Sequence, residues 1–359
     1  MTLPSTMSGV QLTGHGGPDV LVWNDAIPLP KPGPSEILVR VLAAGVNNTD
    51  INTRTGWYSK EVRDPTDSSG AGEVEAGGWG GALTFPRIQG GDLCGRVVAL
   101  GSGVSDFVEG QRVTCAINQP TPSSDNPVGF VALGSEYDGA FAQYCRVPAD
   151  QLFDVTDSPL SDVEIAALPC AFGTAENLVV RSGVSSGDRV FVTGASGGVG
   201  MAAVQLAKLR GAHITAQASG PKQRAVLDAG ADVVVDRGEV PEPGSMTVVI
   251  DIAGGPDWGK LIDALRPGGR YATSGAIAGP IVEADLRTLY LNDLTIYGCT
   301  YQPREVFQGL VDLINNGGIR PLVSQTYPLA EITRAQADFA EKRYPGKLVL
   351  IPPGLDEEI

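Results

Sequence analysis

Four glycines, at positions 194, 197, 198 and 200, form the motif with the clearest chemistry in this sequence. The motif follows an apolar segment, Val190 to Thr193, and opens a segment whose apolar residues recur at helical spacing. Glycines in such a turn let the backbone approach a phosphate closely, and the start of the helix presents unpaired N–H groups and a positive dipole end. The sequence therefore predicts a dinucleotide-binding turn, made of Gly194, Ser196, Gly197, Gly198, Val199 and Gly200.

The residues that follow the next apolar segment, His213 to Ala218, indicate which dinucleotide is bound. Folds that prefer NAD place an acid at this point, where it binds the ribose 2′-hydroxyl. Here the positions hold Ser219, Lys222 and Arg224, a hydroxyl and two cations that suit a 2′-phosphate. An ordinary solvated helix start could have the same composition, but the missing acid favours NADPH as the cofactor.

The elements that position these residues alternate regularly from residue 190 onward. Apolar strands and amphipathic helices follow one another, which predicts a parallel sheet covered by helices on both faces. Residues 1 to about 150 differ, because short apolar segments are separated there by Gly, Pro and Asp with little helical periodicity. We therefore expect an α/β protein with a second, β-rich unit of compact barrel type, and the length of 359 residues also indicates two domains.

Composition and charge argue against some classes of binding partner and location. The formal net charge of −15 argues against nucleic acid and against an anionic membrane surface. No apolar run approaches the roughly 20 residues of a membrane helix, and the N-terminal segment lacks the basic and apolar regions of a signal peptide. The five cysteines are odd in number and contain no C-x-x-C, which is typical of a reduced, cytoplasmic protein.

The stretch from Ser59 to Pro86 is rich in Gly, Ser and acidic residues and has no periodicity. Long loops of this kind are often lids, and a solvated insertion is an equally good interpretation. Trp79 is the residue in it that would gain most from docking.

Several motifs together resemble the medium-chain dehydrogenase/reductase superfamily, specifically its zinc-independent quinone oxidoreductase and enoyl reductase branch. They are GHGGPDVL from Gly14, GVNNTD from Gly45, GGDLCGRVVALGSGVSDFVEGQRV from Gly90, AALPCAFGTA from Ala166, GASGGVG from Gly194, LRPGGRYATSG from Leu265 and GKLVL from Gly346. The resemblance implies a Rossmann doubly wound domain, residues 156–301, inserted into a GroES-like β-rich catalytic domain, residues 1–155 and 302–359. It also implies a site in the cleft and a homodimer that pairs through the strand 294–301.

Zinc-dependent members of this superfamily hold the metal through Cys, His and a further Cys or Glu, since Zn²⁺ prefers tetrahedral nitrogen and sulfur ligands. At the matching positions this chain has Asn47, Gly91, Asp92 and Cys170. We therefore predict no metal, and an alcohol dehydrogenase with an unusual site at Asp92 and Cys170 is the nearest alternative. The two histidines, His15 and His213, are expected to be structural. Cys170 is expected to be a small apolar residue beside the nicotinamide, with a reactive thiol as the alternative.

Without a Lewis acid the substrate should already be activated, such as a quinone or a C=C conjugated to a carbonyl. The segment from Asn47 to Tyr58 is similar to the part of 2-enoyl thioester reductases that carries their catalytic tyrosine, which matches Tyr58. A phenol is protonated at neutral pH and could donate to a developing enolate, although Tyr58 could instead simply pack beside Trp57. The resemblance also assigns Asn47 to the reaction. It assigns the remaining cofactor contacts to Asn48, Thr174, Ile252, Ala253, Ser274, Gly275, Ala276 and Lys347.

The sequence thus predicts a zinc-independent, NADPH-dependent oxidoreductase for a quinone, an enone or an enoyl thioester. A non-catalytic protein that senses NADPH is an alternative from another class. An acyl-CoA substrate would need cations near the entrance, for which Lys60, Arg63 and Arg87 are available.

Overall fold

A computed structural model describes residues 3–66, 78–79 and 81–354 of the chain. These residues form two compact units. The first contains the described residues of 3–60, 78–170 and 303–354, and the second contains 61–66 and 171–302. The later boundary, between Gln302 and Pro303, is next to the predicted one. Within the predicted loop 59–86, residues 67–77 and residue 80 lie outside the described residues.

The earlier boundary lies after Cys170 rather than after residue 155. Arg112 explains why the intervening residues stay with the first unit. Its guanidinium donates to the carbonyl oxygens of Val155 at 3.0 Å, Ser158 at 2.7 Å and Leu160 at 3.0 Å. Because one guanidinium binds three backbone carbonyls, residues 155–160 are held to the strand that carries Arg112. The composition of the segment gives no sign of this contact.

The N-terminal part of the first unit is β-rich, as predicted. Its elements are β1 (Thr6–Leu12), β2 (Leu21–Pro28), β3 (Glu36–Gly45), α1 (Asn48–Thr55), β4 (Cys94–Leu100), β5 (Arg112–Cys115), β6 (Asn118–Pro120), β7 (Phe130–Ala132), β8 (Tyr144–Pro148), β9 (Leu152–Asp154) and α2 (Asp162–Ala166). Helix α1 was not predicted from the sequence. It begins where the Asn47 N–H donates to the Asp50 carboxylate at 2.8 Å, and it ends at Gly56, which is left-handed with φ +73°.

The second unit contains the predicted parallel sheet. Its elements are α3 (Pro169–Arg181), which begins just before the boundary, β10 (Arg189–Val192), α4 (Gly198–Leu209), β11 (His213–Gln217), α5 (Gln223–Asp228), β12 (Val233–Val235), β13 (Met246–Asp251), α6 (Trp258–Asp263), β14 (Leu265–Thr273), α7 (Leu286–Leu291) and β15 (Thr295–Gly298). The strands lie in the order β12-β11-β10-β13-β14-β15, and each neighbouring pair is parallel. This order is that of a doubly wound dinucleotide-binding sheet, so the predicted fold class is confirmed.

Two helical segments can be compared with the sequence pattern, which predicts a helical pair interrupted at Pro169 and a helix over residues 283–291. The pair is present as α2 and α3, and Pro169 is the first residue of α3, a position that tolerates proline because no backbone N–H is needed there. The helix predicted for residues 283–291 begins only at Leu286. Asp285 is its N-cap, and the Asp285 carboxylate accepts from the Arg287 N–H at 2.9 Å.

The C-terminal part returns to the first unit. It adds α8 (Arg304–Asn315), β16 (Val323–Pro328), α9 (Ile332–Ala340) and β17 (Lys347–Ile351). The main sheet of this unit has the order β16-β17-β3-β4-β5-β9, and β8 also pairs with β3. Its core is apolar and includes Ile37, Leu93, Phe141, Leu152 and Leu350, each at most 1% exposed. Antiparallel pairing of β17 with β3 brings Lys347, at the start of β17, to the end of β3.

Candidate active site

Tyr58 lies just after α1 and is hydrogen-bonded to the first turn of that helix. Its hydroxyl donates to Thr49 Oγ1 at 3.1 Å. The ring packs edge-on against Trp57, with centroids 5.5 Å apart, and lies 5.9 Å from the ring of Trp79. Burial raises the pKa of Tyr58 to about 12. The phenol is therefore protonated at neutral pH, as a proton donor must be. The packing beside Trp57 that the sequence allowed as an alternative is also present.

Asn47 is buried, and both ends of its carboxamide are engaged. Its Oδ1 accepts from Lys347 Nζ at 2.5 Å, and its Nδ2 donates to Asp92 Oδ2 at 2.9 Å. Lys347 also donates to Asp92 Oδ2 at 2.9 Å and to the Val46 carbonyl at 3.0 Å. The three protons of the ammonium are thus matched by three oxygen acceptors. The roles predicted for Asn47 in catalysis and for Lys347 against the cofactor stay predictions.

Asp92 completes this cluster. Its side chain has no exposed surface, and its Oδ1 accepts from the Cys170 backbone N–H at 2.6 Å. Asp50 lies nearby, and burial raises its pKa to about 7, with the negative charge of Asp92 adding to the rise and the positive charge of Lys347 opposing it. We call Asn47, Asp50, Asp92 and Lys347 the lysine cluster.

In the second unit, the glycine turn has the geometry of a phosphate cradle. Gly194 has φ +55°, a conformation that favours glycine. A Cβ on Gly200 would lie 2.4 Å from the Gly194 carbonyl oxygen, so only glycine lets the turn fold this closely. Gly197 is the N-cap of α4 and has no side chain to satisfy the first N–H groups of that helix. These N–H groups fit the phosphates of a dinucleotide.

The other cofactor residues predicted in the second unit lie in segments that follow strands of the same sheet. A Cβ on Gly194 would lie 3.3 Å from Ile252 Cγ1, and one on Gly275 would lie 2.8 Å from the Ile252 carbonyl oxygen. The structure thus brings the glycine turn together with the predicted segments 252–253 and 274–276. Thr174 is a partly buried residue of α3, and Asn48 is a partly buried residue of α1 in the first unit.

Asp251, which sequence reasoning did not select, holds two of these segments. Its Oδ1 accepts from Thr193 Oγ1 at 2.6 Å and from the Ala253 N–H at 2.9 Å, and its Oδ2 accepts from the Gly254 N–H at 3.2 Å and from Tyr271 Oη at 2.5 Å. Thr193 directly precedes the glycine turn. An acid at the end of an apolar strand and before two glycines was the available sequence signal.

The segment predicted to bind the 2′-phosphate follows β11. Ser219 and Arg224 are exposed, and Lys222 is partly buried in a single 3-10 turn. Arg224 forms a salt bridge with Asp228, at 2.9 Å and largely in solvent, which is a weak interaction that a phosphate could replace. The nearby Gln223 amide donates to Asp236 Oδ1 at 2.7 Å.

Both histidines have structural contacts. His15 Nδ1 lies 2.9 Å from the Thr53 carbonyl oxygen, and its ring packs edge-on against Phe85. His213 Nδ1 lies 3.5 Å from Asp232 at the surface. The five cysteines are buried, and none of them forms a disulfide bond.

Two family models match long segments of this chain. Residues 33–157 match the family model of the alcohol dehydrogenase GroES-like domain, and residues 198–316 match that of zinc-binding dehydrogenases. The crystal structure of a candidate alcohol dehydrogenase from Sinorhizobium meliloti 1021 is 40% identical, covers 98% of each chain and superposes with a TM-score of 0.86. The chain belongs to the medium-chain dehydrogenase/reductase superfamily. The predicted family and its GroES-like unit are thereby confirmed.

Curated relatives of this dehydrogenase/reductase agree with the predicted branch. An acryloyl-coenzyme A reductase of Metallosphaera sedula is 27% identical over 96% of this chain and 99% of its own. A quinone oxidoreductase of Pseudomonas aeruginosa is 28% identical over the same shares. The superfamily consists of oxidoreductases that use nicotinamide dinucleotides, and the prediction is confirmed at that level. Across the described ranges, no helix is both long and apolar enough to span a bilayer.

A zinc ion does not fit the residues at the metal position of this dehydrogenase/reductase. Asn47 and Asp92 are already bonded to the Lys347 ammonium. Position 91 could not hold the usual histidine without rearrangement, because a Cβ there would lie 2.1 Å from Ile117 Cδ1. Among residues 3–66, 78–79 and 81–354, no three His, Cys, Asp or Glu side chains come together as a metal site. At the position where the resemblance implies metal ligands, the chain therefore has an ammonium bonded to Asn47 and Asp92.

Proposed function

We propose that this chain is a zinc-independent, NADPH-dependent reductase that delivers hydride to a quinone or to a C=C activated by a carbonyl. The observation that carries the proposal is the Lys347 ammonium, which binds Asn47 and Asp92 at the metal position. The 27–28% identity to an acryloyl-coenzyme A reductase and a quinone oxidoreductase supports this substrate class. Substrates of this kind accept hydride at carbon without a Lewis acid, since the charge moves to an oxygen.

Tyr58 is the proposed proton donor. NADPH, when bound, supplies the hydride. The phenol then transfers its proton to the oxygen or the α-carbon on which negative charge develops, and solvent returns a proton to the tyrosinate. Its pKa of about 12 keeps the proton in place until that charge appears. The hydrogen bond to Thr49 Oγ1 orients the hydroxyl.

The glycine turn and the segment Ser219 to Arg224 are proposed to hold NADPH. The N–H groups at the start of α4 would bind the pyrophosphate, and Lys222 with Arg224 would bind the 2′-phosphate. The absence of an acid directly after β11 supports this cofactor over NAD. Replacing Lys222 by Ala should lower kcat/KM for NADPH about 10-fold or more while leaving the value for NADH nearly constant. Arg287→Ala is the matched control, because Arg287 is an exposed cation of the same unit.

The deciding experiment is an acceptor screen with the chelator-treated protein. NADPH and NADH are each tested with a panel of quinones, enones and enoyl-CoA thioesters, and bound metal is measured by elemental analysis. We expect NADPH oxidation with at least one acceptor and no stoichiometric zinc. Stoichiometric zinc with chelator-sensitive turnover would indicate an alcohol dehydrogenase instead. NADPH binding without turnover on any acceptor would indicate a sensor.

Replacing Tyr58 by Phe tests the proton donor in the same assay. The variant should lower kcat by about 10²-fold or more while KM for NADPH changes little, because the phenol acts only as charge develops. Tyr137→Phe is the control, since Tyr137 is another phenol of the same unit and donates to Gln119 Oε1 at 2.7 Å. A Tyr58→Phe enzyme with unchanged kcat would remove this residue from the reaction.

We further propose that two copies pair through β15. This strand is at the edge of the parallel sheet, and such edges offer unpaired backbone groups to another chain. Ile296 in the strand and Leu286, Tyr290 and Leu291 in α7 are exposed apolar residues of the same unit. Sedimentation equilibrium should give a dimer, and Ile296→Lys should shift it toward monomer. A monomeric wild-type protein at micromolar concentration would contradict the pairing.

A further inference from the structure

Lys347 is among the most deeply buried cations that the structure describes. Its side chain is 3% exposed, and that of its partner Asp92 has no exposed surface. A buried ammonium is costly unless every proton has an acceptor and a negative charge lies close by. Lys347 meets both conditions, with three oxygen acceptors and a carboxylate at 2.9 Å.

The ammonium also joins parts of the chain that are far apart in sequence. Lys347 and Asp92 are 255 residues apart, and Lys347 and Asn47 are 300 apart. Through Asn47, the N-cap of α1, the cation contacts the start of the helix that carries Thr49. Thr49 in turn accepts the hydroxyl proton of Tyr58. A continuous set of hydrogen-bonded and helical contacts therefore leads from the ammonium to the proposed proton donor.

We propose that Lys347 is a positioning residue that replaces a metal as the resident cation of this site. The ammonium balances the buried carboxylate of Asp92, fixes the Asn47 carboxamide, and through the start of α1 orients the Thr49 and Tyr58 pair. It does not touch the substrate, since all three of its protons are engaged within the cluster. The kinetic part of this inference rests on the proposed reductase activity.

Ile117 lies beside Gly91, the position at which the resemblance implies a histidine ligand. Its side chain fills the space that a residue at position 91 would need, with Cδ1 2.1 Å from the place of a Cβ. Gly45 has a similar role, because a Cβ there would lie 2.3 Å from Asp92 Oδ2. Gly45 thus lets the Asp92 carboxylate pack against the end of β3, and a larger residue at position 91 would require Ile117 to move.

The test is a charge-pair cycle of Lys347→Met, Asp92→Asn and the combined variant. Methionine has nearly the length of lysine without its charge, so Lys347→Met leaves Asp92 uncompensated. We expect kcat to fall about 100-fold and Tm to fall by about 5–10 °C. KM for NADPH should stay within about threefold, because the ammonium protons are engaged inside the cluster and not with the cofactor as the resemblance implies. The combined variant has no unpaired charge at these positions and should recover Tm and at least about 10-fold in kcat over Lys347→Met.

The pH profile adds a measurement that a merely structural role would not change. Asp92 and Lys347 are the charged groups that act on Asp50, whose carboxylate also accepts from the Asn47 N–H. Removing the ammonium should move the pH at which Asp50 loses its proton in the folded protein, near 7, to higher pH; this transition, measured in the unfolding free energy against pH, is the pH limb. Arg54→Met is the matched control: Arg54 is a buried cation of α1 that donates to Gln336 and Gly16 rather than to Asp92. It should lower Tm without moving that limb.

Three results would overturn the inference. The first is a Lys347→Met enzyme with wild-type kcat and an unmoved pH limb. The second is additive effects of the two substitutions on Tm, and the third is a combined variant that does not fold. If Lys347→Met alone does not fold, the combined variant and Asp92→Asn carry the test. If wild-type protein reduces no acceptor, the proposed function fails, and the coupling of Lys347 with Asp92 is still decided by thermal unfolding.

Discussion

Two aspartates without exposed surface, Asp92 in the first unit and Asp251 in the second, lie beside the predicted site residues and are stabilised in different ways. Asp92 has a cation, Lys347, as its partner. Asp251 accepts from two hydroxyls and two backbone N–H groups, and no cation is among the donors that the structure describes for it. A buried carboxylate can thus be stabilised by one opposite charge or by several neutral donors.

The two aspartates should differ in how much stability is lost when one of their contacts is removed. Around Asp251, the donors come from one strand, the turn after β10 and the loop after β13, so each supplies a share of the stabilisation and one can be removed at modest cost. Around Asp92, most of the charge compensation comes from a single side chain that is 255 residues away in sequence. The stability of the first unit should therefore depend on the charges around Asp92. In the second unit, the contacts of Asp251 should matter mainly through the positions of the loops that they hold.

Asparagine at each position should give the largest effect and compares the two directly. Asp92→Asn removes the carboxylate that is bonded directly to the buried Lys347 ammonium and should lower the free energy of unfolding by about 3–5 kcal/mol. Asp251→Asn leaves only neutral partners, and the cost should be about 1–2 kcal/mol. Urea unfolding at one pH and salt concentration measures both. If Asp251→Asn lowers the free energy of unfolding as much as Asp92→Asn or more, the partner Lys347 does not make Asp92 the more sensitive position.

Asp50 should make the first unit sensitive to pH. Its pKa is raised from 3.8 to about 7, so the folded state holds a proton that the unfolded state releases near pH 4. The stabilisation of the folded state by this proton is complete below about pH 4 and is lost as pH rises through about 7. The free energy of unfolding falls over this range by as much as about 4 kcal/mol. Asp50→Asn should remove this slope from plots of unfolding free energy against pH. Asp25→Asn, at an exposed position, should leave the slope intact, and a slope that persists in Asp50→Asn would assign it to another group.

The sequence was most informative where the signal is local. The glycine turn and the alternation of strands and helices predicted the parallel sheet, because apolar periodicity and turn residues act within a few positions. Helix α1 was missed because its residues, NTDINTRT, are almost all polar and have no apolar period. Its ends are fixed instead by the contact of Asn47 with Asp50 and by Gly56.

The lysine cluster shows why the rest of the site could not be predicted. The family resemblance places Gly91 where a zinc ligand would stand, and this indicated a site without metal. It contains no sign that Lys347 fills that site or that Ile117 occupies the space beside Gly91, since both contacts depend on how distant strands pair. Contacts of this kind follow from tertiary packing rather than from any local pattern.

The smallest predicted effect comes from removing one hydroxyl donor in each unit. Tyr271 donates to Asp251, which keeps the Gly254 N–H on the same oxygen, and Tyr327 donates to Asp338 in the first unit at 2.7 Å. Tyr271→Phe and Tyr327→Phe should each lower the free energy of unfolding by about 1 kcal/mol. Only Tyr271→Phe should weaken NADPH binding, by about 3–10-fold, because only Asp251 holds a loop predicted to contact the cofactor. Equal NADPH affinities of the two variants, measured by fluorescence titration, would mean that Asp251 stabilises the sheet without positioning its cofactor loops.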